Sequence, residues 1–198
     1  MCNRYLSMLI LFGVSSYLLL IYSCRTKNHS EEQVIQWLLK CPPVSNPARW
    51  PPEAYTYDSH EEWAAAGRKI KGIEEILTRF YENNTTGRPM WMIILALGLV
   101  NPDNSGPILI QALKDESQPI TARVTAANLL GDARNHAAVD PLCYIVHLTD
   151  SEHLKYNAIS ALGIIGDPNA RPVVERELED VRIKRDFLIK VLEEIKEK

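Results

Sequence analysis

Apolar residues in the second half of the chain return every three or four positions, in short stretches interrupted by Gly, Pro, Asn and Asp. That period marks amphipathic helices. Trp63, Ile70, Ile73, Ile76, Leu77 and Phe80 predict one long helix, opened by Asp58 or Ser59 and ended by the polar run 81–87. Near the C-terminus Ile183, Phe187, Val191 and Ile195 fall four residues apart, with Leu188 and Leu192 beside them. Lys184, Lys190, Glu193, Glu194 and Lys196 give that helix a charged opposite face, as a capping helix needs. Upstream, Val34, Ile35, Trp37, Leu38 and Leu39 predict a short helix with Ser30 as N-cap and Gln33 completing a capping box, stopped by Cys41-Pro42-Pro43.

A longer period is superimposed on these helices. Ala96-Leu97-Gly98-Leu99-Val100-Asn101-Pro102 returns as Ala126-Ala127-Asn128-Leu129-Leu130-Gly131-Asp132, then as Ala161-Leu162-Gly163-Ile164-Ile165-Gly166-Asp167-Pro168. A proline follows each copy (Pro107, Pro141, Pro172), then an apolar stretch ending in Leu113/Asp115, Leu148/Asp150 and Leu178/Asp180, with the aspartates 35 and 30 residues apart. A repeat of this length implies stacked supersecondary units, here two helices each. In this register Ala96, Ala126 and Ala161 let neighbouring first helices approach. Gly131 and Gly166 take the left-handed position that ends the first helix. Pro141 and Pro172 fall in the first turn of the second helix, where a missing N–H is harmless. Asp115, Asp150 and Asp180 end the second helices and cap the next first helix. Leu77 precedes Leu113 by 36 residues, so its helix is expected to close a divergent first repeat. Arg185, Leu188 and Val191 align with Lys155, Ala158 and Ala161, making the last helix the start of an unfinished fourth.

Lys155, Ala158, Ala161, Leu162, Gly163, Gly166 and Asp167 resemble the signature of HEAT-like repeats, in particular the short bacterial variety named after phycobilin lyase subunits. That signature sets a basic residue eleven positions before the turn glycine. The middle copy departs from it with Ile120 at that place and Arg123 nearby, and the first copy with Met90 and Asn101. The resemblance covers residues 88–198, and 60–87 loosely. It implies an all-α chain, an α-α superhelix forming a short solenoid, and it says little about function, because such repeats serve as scaffolds, adaptors and a few lyases.

Residues 5–23 carry no charge, Arg4 precedes them, and Cys24, Arg25 and Lys27 follow. The segment is long enough to approach a bilayer span and has no polar face for a soluble core helix. Two readings stay open: a retained signal anchor, or a cleaved lipoprotein signal. Leu20-Ile21-Tyr22-Ser23-Cys24 resembles a bacterial lipobox, with Tyr22 departing from the usual small residue. The resemblance implies cleavage before Cys24 and acyl chains on it, and favours the lipoprotein. The expected organisation is therefore a signal or anchor over 1–23, a tether, short helix and Pro/aromatic strap over 24–59, and the repeat domain over 60–198.

A formal net charge of -3 carries no concentrated basic face, which argues against nucleic acid as a partner. Arg68, Lys69 and Lys71, and Arg182, Lys184 and Arg185, are each flanked by acids and read as solvated helix faces. The five histidines have no metal-ligand spacing, and the sequence holds no phosphate loop, nucleophile elbow or paired CxxC. Cys143, among Leu142, Ile145 and Val146, reads as a buried inert thiol, and Cys41 is a conceivable partner for it if the domain is exported. No catalytic residue, metal or cofactor is expected. The first reading is a non-catalytic, membrane-tethered scaffold or adaptor of the cell envelope that binds a protein. Its second helices are expected to line the concave side, with Gln111, Lys114, Tyr144, His147, Arg176 and Glu177 as groove residues. The alternatives are a lyase-like enzyme or enzyme subunit, and a structural envelope protein that associates with itself.

Overall fold

The computed structural model describes residues 29–42, 57, 59–84, 87–178 and 185–196. The apolar segment 5–23, Cys24, most of the strap and Asp180 lie outside them. The described residues form helices and turns: α1 (29–38), α2 (His60–Gly67), α3 (Ile73–Asn83), α4 (Met90–Val100), α5 (Gly106–Lys114), α6 (Ile120–Asp132), α7 (Val139–Leu148), α8 (Glu152–Ile165), α9 (Arg171–Leu178) and α10 (Arg185–Lys196). Short 3-10 turns, His136–Ala138 and Pro168–Ala170, lead into α7 and α9.

The helices stack in two layers. α2, α4, α6, α8 and α10 pack in succession on one another, while α5, α7 and α9 form the second layer and touch each other far less. Each second helix also packs on the first helix of the following repeat: α3 on α4, α5 on α6, α7 on α8 and α9 on α10. A single apolar core runs from Val34 to Ile195 between the layers. This is the α-α superhelix, with α2–α3 as a divergent pair and α10 stacked on α8 as a further first helix.

The structure corrects the register of the middle repeat. Asn135 accepts from Ala137 N–H as Asp167 accepts from Asn169 N–H, so these two residues cap equivalent 3-10 turns. Arg134 (φ 47) then matches Gly166 (φ 72) as the left-handed residue. Gly131 is helical instead, and it matches Gly98 and Gly163. Those three glycines share one task. A Cβ on Gly98 would lie 2.7 Å from Leu129 Cδ1, on Gly131 2.9 Å from Ala161 Cα, and on Gly163 3.0 Å from Val191 Cγ1. Each sits where one first helix meets the next, and a glycine there lets the helices approach. The sequence had aligned Asn101 with Gly131 because both end an apolar run; the closest approach of the helices sets the true frame. Arg123 now matches Lys155 and Met90, so the basic position absent from the middle copy is present.

Three other expectations change. The long helix is two, broken over 68–72, with Gly72 (φ 72) as the N-cap of α3. Arg68 leaves the helix and donates from Nη2 to Leu99 O (2.7 Å) and from Nε to Val100 O (3.2 Å), placing a cation on carbonyls at the end of α4. Ser151, not Asp150, caps α8 by accepting from Leu154 N–H, and α6 follows Pro119 without a side-chain cap. Asp115 folds back on its own turn, accepting from Ser117 N–H and Oγ–H. Ser30 lies inside α1 rather than ahead of it. Pro107 stands in the first turn of α5 as the pattern requires.

One contact the sequence did not signal closes the N-terminal end. The indoles of Trp37 and Trp63 stack with centroids 4.1 Å apart and planes 8° from parallel. Trp37 Nε1–H donates to Trp63 O (2.8 Å), and Trp63 Nε1–H donates to Trp37 O (3.0 Å). Gly67 leaves room for the Trp37 ring. α1 is thus fastened to α2 by a reciprocal, fully satisfied pair.

Candidate interaction surface on the second helices

The corrected register also orders the second layer. Leu109, Leu142 and Val174 are buried and equivalent, 33 and 32 residues apart. Two residues further on stand Gln111, Tyr144 and Arg176, all exposed. Five further on, Lys114 and His147 are exposed as well. Five of the six groove residues expected from sequence therefore occupy two columns on adjacent helices α5, α7 and α9.

Glu177 does not join them. It is only 7% exposed, because it falls in the core column of Ala112 and Ile145. Its carboxylate accepts from Lys155 Nζ at 3.1 Å, and Lys155 is 8% exposed. A carboxylate in that column survives only because a cation from α8 reaches it. Arg123, at the place equivalent to Lys155, solves the same problem differently, donating from Nε to Leu113 O at 2.9 Å.

The surface has an aromatic and aliphatic centre with a basic margin. Tyr144 is 54% exposed and Leu148, one turn later on the same face, 53%. Leu148 was readable from the four-residue spacing but had been assigned to the repeat pattern. Arg176 lies close enough to Cys143 to act on its thiol, which nevertheless titrates high because burial dominates and Asp140 and Asp167 add to it. Cys41, pushed up to about 12 by burial, is likewise held as a thiol. Both are free cysteines. His136 Nδ1 and Asp167 Oδ2, 2.9 Å apart, tie one inter-repeat turn to the next, and the bond from His136 holds the Asp167 carboxyl below its usual range. Among the described residues no group of three or more His, Cys, Asp or Glu side chains is placed to hold a metal ion, and no helix is long and apolar enough to cross a membrane. The arrangement offers stacking, apolar contact and cationic hydrogen bonds, the means of adhesion to a macromolecule.

A family model described as HEAT repeats matches residues 106–192. The match begins at α5 and runs into α10, the part of the array in which the corrected register is cleanest. No curated protein matches the chain.

Proposed function

We propose that this HEAT-like scaffold is a non-catalytic adaptor of the cell envelope, tethered through its N-terminal segment and binding a protein on its second-helix face. The carrying observation is the pair of columns, Gln111/Tyr144/Arg176 and Lys114/His147, which repeat structure brings onto adjacent helices. A face built from equivalent positions of successive repeats is the surface on which such arrays hold extended partners. Tyr and Arg are the residue types that most often dominate binding energy.

A photo-reactive amino acid at Tyr144 in the membrane-embedded full chain should give one discrete protein adduct, and Arg176→Glu or Lys114→Glu should remove it. Adducts indifferent to both reversals would reject the face. The tether is tested separately by the intact mass of the N-terminal peptide. A chain starting at acylated Cys24, with Cys24→Ala unprocessed, is the expected result. Retention of residues 1–23 in both proteins would replace lipidation with a signal anchor.

A further inference from the structure

α1 is fastened to the array at both ends. At its first turn Arg79 Nη2–H of α3 donates to Glu31 Oε1 at 2.6 Å. Near its last turn the Trp37 and Trp63 indoles stack and give their N–H groups to each other's backbone carbonyls. Just beyond the helix, Pro42 O lies 3.0 Å from His60 Nε2 at the start of α2. Between these ties Val34, Trp37 and Leu38 are buried in the common core. Apolar burial is non-directional and would only hold α1 against the end of the core. Hydrogen bonds to two different helices, α2 and α3, also fix the direction in which α1 points.

Little chain separates α1 from the membrane boundary. Lipidated Cys24 and a retained anchor over 1–23 both put that boundary at 23–24, five residue steps from residue 29 where α1 begins. Five steps reach at most about 18 Å, whatever path they take. From α1 the array continues through α2, α4, α6 and α8, with α7 packed on α8. At roughly 10 Å per helix those four steps add about 40 Å, so Tyr144 is held within about 60 Å of the bilayer. We propose that α1 is a rigid bracket that presents the second-helix face at a fixed height to a partner protein embedded in the same membrane, an inference that rests on the tether and the face proposed above. A soluble partner approaches from any direction and gains nothing from a fixed mount. A partner held in the same membrane gains effective concentration from a short tether and preorganisation from a stiff one. A long flexible linker would forfeit both.

The test compares the membrane-embedded full chain with a variant carrying about 30 Gly/Ser residues between Lys27 and Asn28, which adds roughly 30 Å of r.m.s. reach. The insert lies outside α1 and leaves its ties to α2 and α3 in place. Effective concentration falls roughly as the −3/2 power of tether length, so the yield of the Tyr144 photo-adduct should drop at least about tenfold. In nanodiscs, time-resolved energy transfer from a donor dye at position 144 to headgroup-labelled lipid should give one narrow distance distribution for the wild type. The linker variant should give a broad one, and so should Trp37→Ala, which frees α1. An adduct yield indifferent to the insert, or a wild-type distribution as broad as that of the linker variant, overturns the inference and leaves the tether and the face standing. Absence of the chain from the membrane fraction, or of any Arg176-dependent adduct, rejects the tether or the face itself, and this inference with it.

Discussion

Lys155 and Glu177 show how one column of a repeat admits a charge where its neighbours admit none. Ala112 and Ile145 fill the same place with methyl groups, and Met90 the place of Lys155. Glu177→Ala alone strands a buried ammonium and should destabilise the fold by about 3–5 kcal/mol. The pair Lys155→Met/Glu177→Ile, which copies the residues of the other repeats, should return stability to the wild-type value or exceed it by about 1–4 kcal/mol. Urea denaturation of the four proteins in the cycle decides this; an additive double variant would mean that the two side chains do not stabilise each other. Asp115 gives the acid limb of stability. Its carboxyl titrates below its ordinary value of 3.8, chiefly through the bond from Ser117. A depressed folded value contributes stability above about pH 4, which is lost as pH falls through that lower value. Ser117→Ala should therefore lower Tm at pH 7 and by progressively less as pH is taken down to about 2.

At the level of helices, the three close approaches are not equally rigid. Gly98 faces the flexible end of Leu129, whereas Gly131 faces the backbone of Ala161. Gly131→Ala should lose about 1–3 kcal/mol by overpacking, and Gly98→Ala clearly less, in the same urea titration. Arg134, forced to φ 47 where the next repeat has Gly166, offers the converse. Arg134→Gly should raise stability by a few tenths to about 1 kcal/mol by relieving left-handed strain. The Trp37–Trp63 pair governs a whole element. With Trp37→Ala, hydrogen exchange should lose its protection over 29–38 while α6 and α8 keep theirs. Equal loss throughout would show α1 to be part of one cooperative unit.

Across the molecule, the array has two unlike layers. The first helices pack closely on one another, while the second helices stand further apart and carry exposed Lys114, Arg176, Tyr144 and Leu148. The close approaches at Gly98, Gly131 and Gly163 all lie in the first-helix layer.

Much of this was set by the chain alone. The period, the two helices per unit, the prolines opening second helices, the place of α10 as a first helix and the exposure of five of six surface residues follow from periodicity, because helix faces are fixed by local geometry. Local geometry also misled where it was ambiguous. Gly131 and Gly166 are the same residue after similar apolar runs, yet one is a contact and the other a turn, and only the neighbouring helix distinguishes them. The same limit hid Glu177, whose burial depends on a lysine 22 residues away, and the indole pair, whose members are 26 residues apart. Sequence determined which side of each helix is apolar; the stacking of helices decided which residue each side meets, because that contact is made between segments whose separation along the chain carries no pattern.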